Sequence, residues 1–340
     1  MSNDIKVGVI GTSWFADEIH LPSLTSHPNA QIEAICGRNR VRLEEMAKKY
    51  EIPQCFTDFH EMIENGGIDA IVIVSPEDLH YQMTMAALEA RLHVFCEKAL
   101  ALNSEDGKTM YYEAEEVGVK HMINFTYRWF PCFRYLKQLL NQDYIGDVYD
   151  VTVQYWANYG RSDDLTWRFD GNRSNGALSD LGSHMIDLVH WLVGDIVEVG
   201  ATLNNFVARK HPANEPFESV NDTAFLSIKL ANGAVGTIST SAVSVTADRV
   251  QEQIIILHGK EGTLECKYSF EGSDFVAGKM VTPFEIKGSR EGLQKFELLT
   301  VPDSIWGDAD RTNMFLRPSR PPLLPLFRRR WPGRRYVQRL

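Results

Sequence analysis

The stretch "VGVIGTSWFADEIHLP", residues 7–22, begins as a short apolar strand and passes through a glycine turn into a helix. Gly11, Ser13 and Ala16 stand where a dinucleotide-binding turn has G-x-G-x-x-G/A. The first glycine permits the tight turn, the second lets the backbone approach pyrophosphate, and the third lets the helix pack on the strand. Ser13 departs from this pattern, so an ordinary strand–helix turn is the alternative to the phosphate loop that we favour. The candidate cofactor-binding residues here are Gly11, Thr12, Ser13, Trp14, Phe15 and Ala16.

Strand and helix signals alternate through the first 125 residues. A nearly continuous apolar strand such as "IDAIVIVS", residues 68–75, is typical of a parallel strand covered on both faces by helices. Repeated units of this kind predict an α/β fold with a doubly wound parallel sheet, the Rossmann arrangement. We therefore predict an N-terminal NAD(P)-binding domain over residues 1–125.

A different pattern follows residue 125, because strands dominate and two hairpins are evident. Ala231-Asn232-Gly233 separates two strand-like runs, and Asn-Gly tolerates the positive φ values of a tight turn. Lys260-Glu261 separates two further runs in the same way. We predict a C-terminal α/β domain with a mostly antiparallel open sheet over residues 126–310, serving substrate binding and oligomerisation. An uncovered sheet face favours a partner subunit, so we expect a homodimer or homotetramer.

Composition argues against several classes of function. The 340 residues carry a net charge of −10, which disfavours nucleic acid or an anionic membrane as a partner. No apolar run approaches the roughly 20 residues of a membrane span, and the N-terminus shows no signal-peptide pattern. The five cysteines are scattered without a CxxC pair, which favours reduced core residues in a cytoplasmic protein and gives no indication of a metal site.

Residues 311–340 differ from the rest of the chain. They contain nine arginines and no acidic residue, so residues 1–310 carry a net charge of −19. We expect an atypical, disordered Arg/Pro-rich tail, because neither helical nor strand periodicity is evident. A nucleic-acid-binding arm is less favoured, since the aromatic interleaving of a binding groove is missing. The composition also fits an out-of-frame or truncated ending.

The second strand ends in "AICGRN", residues 34–39, where an NAD enzyme usually carries Asp or Glu for the ribose 2′-hydroxyl. Arg38 stands there instead, beside Gly37, and an arginine can pair with the 2′-phosphate of NADP(H). The alternative is that Arg38 is a solvated residue at the start of the next helix. We expect NADP(H) to be preferred, with NAD(H) as the other candidate.

The stretch "GALSDLGSHMIDLVHWLVG", residues 176–194, reads as an amphipathic helix. Asp180, His184 and Asp187 interrupt its apolar sequence at spacings of four and three, which places them on one helical stripe at about 100° per residue. The stripe is either a solvated face or a proton-handling site. A histidine with a pKa near 6.5 suits proton transfer, which favours the second interpretation.

Several motifs together resemble the Gfo/Idh/MocA oxidoreductases, the glucose–fructose oxidoreductase and inositol dehydrogenase family. The matching pieces follow the family's order over residues 5 to about 265: "VGVIGTSWFADEIHLP", "IDAIVIVSPEDLH", "ALEARLHVFCEKALA", "WRFDGNRSNGALSDLGSHMIDLVHWLVG" and "HGKEGTLE". The resemblance implies nicotinamide-dependent chemistry on sugars, cyclitols and related polyols. It also implies that Lys98 hydrogen-bonds the substrate oxygen, that His184 moves the proton, and that Asp180 orients the imidazole or binds a neighbouring hydroxyl.

The resemblance also implies further site residues. Ser75, Pro76, His80, Glu97 and Lys98 are expected at the cofactor. Substrate-pocket candidates, for which core packing or a structural ion pair is the alternative, are Tyr127, Arg128, Trp167 and Arg168, with Lys98, Asp180 and His184.

The chain departs from the family pattern at two positions near these residues. Glu77 replaces the family's common Asn, which puts the contact there in question. Ala99 replaces a proline whose peptide bond is often cis, so we expect the chain after Lys98 to relax.

The expected function is hydride transfer between nicotinamide and a hydroxyl or carbonyl carbon of a sugar, sugar derivative or cyclitol. Two alternatives stay open. One is a reductase of small diols or aldehydes, which the same residues would serve. The other is a non-catalytic nucleotide-binding regulator or sensor of the same fold, which retention of Lys98, Asp180 and His184 disfavours.

Overall fold

A computed structural model describes residues 4–271 and 284–306. The described chain forms two compact units. The first comprises residues 4–75 and 79–124, and the second comprises residues 76–78, 125–271 and 284–306. The predicted tail over residues 311–340 lies outside the described residues.

The first unit is built on a six-stranded sheet in which every neighbouring pair is parallel. The spatial order is β3-β2-β1-β4-β5-β6. This order confirms the predicted doubly wound Rossmann sheet. The strands are β1 (Ile5–Ile10), β2 (Ala30–Cys36), β3 (Gln54–Phe56), β4 (Ala70–Ile73), β5 (His93–Glu97) and β6 (His121–Asn124).

Helices connect these strands, and side-chain caps define several helix starts. A π-helical turn (Ala16–His20) leads directly into α1 (Leu21–Thr25). The other helices are α2 (Arg40–Lys49), α3 (Phe59–Asn65), α4 (His80–Glu89) and α5 (Ser104–Val117). Asn39, Asp58 and Asn103 accept backbone N–H groups of the first turns of α2, α3 and α5 respectively. Two apolar clusters cover the sheet, one containing Val7 and Leu24 and the other Ile71 and Met83.

The second unit is built on an eight-stranded, mostly antiparallel sheet of order β14-β13-β12-β11-β7-β10-β9-β8. Only β7 and β10 pair in parallel among these described strands. Both predicted hairpins are confirmed, as β9–β10 and β11–β12. The strands are β7 (Val148–Ala157), β8 (Ile196–Asn204), β9 (Thr223–Leu230), β10 (Val235–Ser241), β11 (Arg249–Gly259), β12 (Gly262–Glu271), β13 (Phe284–Arg290) and β14 (Glu297–Leu298).

Helices pack on one face of this sheet. They are α6 (Pro131–Asn141), a π-helical turn (Leu178–Gly182) that leads into α7 (Ser183–Leu192), and α8 (Asp303–Trp306). The core between helices and sheet contains Phe133, Leu188 and Ile255, each at most 1% exposed. The other face carries exposed side chains such as Phe225 and Thr237.

The cysteines are all free thiols. Four of them are buried, as predicted, whereas Cys55 is exposed because it lies on the short edge strand β3. Within residues 4–271 and 284–306, no helix is long and apolar enough to cross a membrane.

Candidate active site

The glycine turn after β1 has a geometry that other residues would not tolerate. Gly11 has a φ of +123°, and a Cβ on it would lie 2.3 Å from the carbonyl oxygen of Val74. The Gly11 N–H donates to the carbonyl of Cys36, which ties the turn to β2. Ser13 is exposed, and its Oγ accepts the N–H of Ala16 at 3.3 Å. The second fingerprint glycine is thus replaced by a residue that caps the helix.

The end of β2 packs closely against this turn. A Cβ on Gly37 would lie 2.4 Å from the Thr12 methyl group, so the small residue beside Arg38 is required for packing. Arg38 itself is exposed. It precedes Asn39, whose side chain caps α2.

A buried carboxylate behind the glycine turn was not predicted from the sequence. Asp17 accepts hydrogen bonds from Lys49 at 2.7 Å, from the Tyr50 hydroxyl at 2.9 Å and from Arg42. Burial raises the pKa of Asp17, but these hydrogen bonds outweigh burial and hold the pKa below its usual 3.8. No spacing pattern in the sequence distinguishes Asp17 from the neighbouring acidic residue Glu18.

The segment after β4 contains three of the predicted cofactor residues, Ser75, Pro76 and His80. The buried Ser75 Oγ has no hydrogen-bond partner within the described chain. His80 is completely buried, with Nδ1 2.7 Å from the Ala99 carbonyl oxygen and Nε2 3.0 Å from the Ser75 carbonyl oxygen. Both ring nitrogens of His80 thus contact backbone carbonyl oxygens, and its predicted place at the cofactor stays a prediction.

Lys98 follows β5 directly and is half-buried. The preceding Glu97 is 7% exposed and accepts hydrogen bonds from Asn124 Nδ2 at 2.6 Å and from the Lys98 N–H at 3.3 Å. His20 Nε2 lies 2.7 Å from the Glu97 carboxylate. Glu97 thus belongs to a buried network, and its predicted contact with the cofactor stays a prediction. The peptide bond between Lys98 and Ala99 is cis. It thus has the isomer that is often found before the family's proline, although alanine stands at this position.

The three residues of the predicted stripe, Asp180, His184 and Asp187, have different surroundings in the second unit. Asp180 lies in the π-helical turn, where each residue advances by less than the 100° of an α-helix. Its carboxylate accepts hydrogen bonds from Arg168 Nε at 2.9 Å and from the Tyr159 hydroxyl at 2.6 Å. Burial lowers the pKa of Arg168, but the neighbouring Asp180 more than compensates, so this guanidinium is held charged. Arg168 is thus brought to the predicted site, and it lies over the Trp167 ring at 4.5 Å.

His184 lies in an aromatic environment on α7. It is 8% exposed, and its ring centroid lies 4.5 Å from that of Tyr127. The Tyr127 hydroxyl lies 2.8 Å from the hydroxyl of Tyr155. Burial holds the pKa of Tyr127 well above its usual value, so this phenol stays protonated.

Asp187 does not share the surroundings of Asp180. Its carboxylate binds Arg128 in a bidentate pair, with distances of 2.8 Å to Nε and 2.5 Å to Nη2. Burial raises the pKa of Asp187 and outweighs the lowering by Arg128. These contacts favour the alternative given for Arg128, a structural ion pair, and its role at the substrate stays a prediction.

Glu77, where the family commonly has Asn, has a different set of partners. It is 4% exposed, and its carboxylate accepts the N–H of Asn175 at 2.9 Å and the hydroxyl of Ser179 at 2.5 Å. The adjacent Asp78 pairs with Arg173 at 3.1 Å. Residues 77 and 78 thus hold the segment that leads into Asp180.

Two family models and several known proteins match this chain. The family described as "Oxidoreductase family, NAD-binding Rossmann fold" matches residues 5–125, and the GFO/IDH/MocA C-terminal domain matches residues 133–265. Levoglucosan dehydrogenase of Pseudarthrobacter phenanthrenivorans is 27% identical over 69% of this chain and 65% of its own. The scyllo-inositol 2-dehydrogenase (NADP(+)) IolW of Bacillus subtilis is 28% identical over 79% of this chain and 70% of its own.

A solved structure shares the fold. Levoglucosan dehydrogenase in complex with NADH and L-sorbose superposes with a TM-score of 0.77 and 25% identity, covering 88% of this chain and 81% of that one. The two matched families together span more than half of the chain. The chain therefore belongs to the Gfo/Idh/MocA family of NAD(P)-dependent oxidoreductases.

Proposed function

We propose that the protein transfers a hydride between a nicotinamide cofactor and a hydroxyl or carbonyl carbon of a sugar, sugar derivative or cyclitol. The similarity to dehydrogenases named for levoglucosan and scyllo-inositol supports this substrate class. The observation that carries the proposal is the Asp180 carboxylate, fixed by Arg168 and Tyr159 one turn before His184. We assign cofactor binding to residues 1–125 and substrate binding to residues 126–310.

The first unit has features that suit a dinucleotide. The turn at Gly11 leaves no room for a side chain, which suits a backbone that approaches phosphate. The Ser75 Oγ is a buried hydroxyl whose hydrogen-bonding capacity is unused within the described chain. Gly11, Thr12, Ser13, Trp14, Phe15, Ala16, Ser75 and Pro76 would hold the cofactor.

NADP(H) is the preferred cofactor in this proposal. Arg38 is exposed directly after β2, at the carboxyl end of the strands, where α/β sheets bind ligands. No carboxylate stands at residues 36–38 to accept a ribose 2′-hydroxyl. The guanidinium would pair with the 2′-phosphate.

In the oxidation direction, His184 takes the proton of the substrate hydroxyl while the C–H hydride leaves the same carbon. The Lys98 ammonium hydrogen-bonds that oxygen and stabilises the developing alkoxide. Asp180, held by Arg168, binds a neighbouring hydroxyl or orients the imidazole. A nicotinamide held by the first unit would supply the hydride acceptor, and reduction would reverse each transfer.

The decisive experiment is a spectrophotometric assay of NADP⁺ and NAD⁺ reduction with a panel of polyols, comparing the wild type with Lys98→Ala and Asp180→Asn. We expect turnover with at least one polyol and its loss in both variants. Lys108→Ala is the matched control, since Lys108 is an exposed lysine that pairs with Glu105 on the surface of α5. Tight nucleotide binding without turnover on any polyol, diol or aldehyde would favour a regulator.

We also propose a homodimer or homotetramer assembled through the face of the second sheet that the helices leave uncovered. A groove of about 610 Å³ on this face is lined by Trp156, Phe206 and Phe225 among hydroxyl-bearing side chains. Such a face gains by burial against a second copy. Sedimentation of the wild type and of Phe225→Glu tests the assembly, with a monomeric wild type as the contradicting result.

A cytoplasmic location completes the proposal. The five free thiols support a reducing compartment. Cell fractionation tests it directly, and recovery in an oxidising compartment would contradict it.

A further inference from the structure

We infer that two buried histidines position Lys98, His20 through the Glu97 carboxylate on one side and His80 through the Ala99 carbonyl on the other, and that His80 carries both ring protons. This inference rests on the proposed role of Lys98 in binding the substrate oxygen. The described contacts all lie within the first unit.

Glu97 precedes Lys98 and lies in a buried hydrogen-bond network. The Glu97 carboxylate is held by His20 Nε2 at 2.7 Å and by Asn124 Nδ2 at 2.6 Å. Its second oxygen accepts the Lys98 N–H at 3.3 Å. His20 and Glu97 are only 4% and 9% exposed at their side chains, so water does not weaken this contact appreciably.

His20 also links this network to the glycine turn. It ends the π-helical turn that begins at Ala16, and its ring makes an edge contact with Phe15 at 5.4 Å. On its other side the ring contacts Phe95 at 5.8 Å. The imidazole is therefore fixed between the turn proposed to bind phosphate and the strand that ends at Lys98.

Ala99 follows Lys98, and its carbonyl oxygen contacts His80. His80 lies within hydrogen-bond distance of two carbonyl oxygens, those of Ser75 and Ala99. Carbonyl oxygens only accept, so each ring nitrogen must donate, and only the doubly protonated imidazolium has two donors. A neutral ring would direct a lone pair at one carbonyl oxygen, which would weaken that contact and release either Ala99 or Ser75.

The surroundings of His80 are consistent with a buried cation. Burial lowers the pKa of His80, but the neighbouring Cys96 and the two carbonyl groups raise it, and it lies at about 9. Cys96, on β5, is the titratable side chain that faces the ring. The imidazolium therefore persists at neutral pH, and one of its two carbonyl contacts, with Ala99 or with Ser75, weakens under alkaline conditions.

A direct test is NMR of protein labelled with ¹⁵N in its histidine rings, from neutral to alkaline pH, with His80 assigned through His80→Gln. We expect two protonated nitrogens on His80 at neutral pH and loss of one proton in the same alkaline range in which kcat falls. His60, which is exposed, is the internal reference for the protonation state of a solvent-accessible ring. A singly protonated His80 ring at neutral pH overturns the inference.

The second test uses variants on an active polyol. We expect His80→Gln and His20→Gln each to lower kcat at least about tenfold, while the nucleotide Kd changes less than about twofold. His80→Gln should also lose the alkaline fall in kcat, a change that a general loss of stability would not produce. His60→Gln is the matched control and should keep wild-type kinetics. Wild-type kcat in His80→Gln overturns the inference and leaves the proposed activity standing.

Hydrogen exchange makes failure of the two proposals distinguishable. The peptide that carries residues 97–100 should exchange faster in His80→Gln than in the wild type, measured with or without activity. If no polyol turns over but the NMR and exchange results hold, the proposed activity fails and the positioning stands. If exchange of this peptide is unchanged in both histidine variants, the positioning is refuted.

Discussion

Lys98 in the first unit and Asp180 in the second unit are both candidate site residues, yet their neighbours hold them by different means. The contacts around Lys98 act on the backbone and on Glu97, through two buried histidines. The contacts around Asp180 act on its own carboxylate, through Arg168 and Tyr159. The neighbours of Lys98 thus fix the chain from which its side chain extends, whereas the neighbours of Asp180 donate hydrogen bonds directly to its carboxylate.

This comparison separates two kinds of mutational effect. Neighbours of Lys98 can be changed without altering the charge at the substrate, so their effects should be positional. Changes to Arg168 or Tyr159 alter the hydrogen bonding and charge of the Asp180 carboxylate directly. Measurements of kcat and of the free energy of unfolding should distinguish these two kinds of effect.

The largest effect is expected at the proposed proton-transfer groups. Lys98→Met and His184→Asn should each reduce kcat by about 10³-fold, because one removes stabilisation of the alkoxide and the other removes the proton acceptor. Steady-state kinetics at saturating nucleotide measure this. Retention of more than about a tenth of wild-type kcat in either variant would exclude its proposed role.

The second prediction concerns Asp187, which shares α7 with His184 but pairs with Arg128. Asp187→Ala should lower the free energy of unfolding by about 3 kcal/mol, because it leaves a largely buried guanidinium without its partner. The double variant Arg128→Met/Asp187→Leu should recover most of that loss. Denaturant unfolding measures both, and kcat should stay close to wild type in the double variant.

Asp180→Asn gives the contrast. It should reduce kcat by about 10²-fold with a smaller change in stability than Asp187→Ala, since Asn keeps the hydrogen bonds of a half-exposed pair. Equal losses of stability at the two positions would contradict the division of the stripe.

The third prediction concerns the pH dependence of stability in the first unit. The pKa of His80 is raised from 6.5 to about 9, so its contribution is fully present below pH 6.5 and is lost as the pH rises through about 9. The contribution is of the order of 3 kcal/mol. Unfolding measured on both sides of this window should show the loss in the wild type, and a smaller one in His80→Gln.

The smallest effect is expected at Arg38. Arg38→Ala should raise the KM for NADP⁺ by about tenfold and leave the KM for NAD⁺ nearly unchanged, because only the 2′-phosphate contact is removed. Arg40→Ala is the matched control, since Arg40 is exposed two residues further on and pairs with Glu44. Equal effects on both nucleotides would place the 2′-phosphate elsewhere.

The fold was predictable because each strand pattern in this sequence has one physical meaning. Apolar runs such as residues 68–75 identify parallel strands covered on both faces, and Asn232-Gly233 identifies a hairpin turn. The family motif identified Lys98, Asp180 and His184 as candidates. The structure supplied partners for Asp180 that the sequence pattern did not name.

The rest of the site depends on contacts between residues that are far apart in the chain. The pairs Arg128–Asp187 and His20–Glu97 span 59 and 77 residues, and no spacing rule connects them. The division of the stripe depends on the π-helical turn, which sequence periodicity does not reveal. The family resemblance implies that His80 lies at the cofactor. Its hydrogen bond to the Ala99 carbonyl oxygen could not be predicted, because only the folded chain brings these two residues together.

The position of β7 in the second sheet has a consequence for how the protein is made. This strand lies between β10 and β11, so its neighbours are synthesised only after residue 235. During translation both edges of β7 stay unpaired until roughly 80 further residues have been synthesised. Long-range pairing of this kind slows folding, and nascent chains that stop short of β10 should need chaperones to stay out of aggregates.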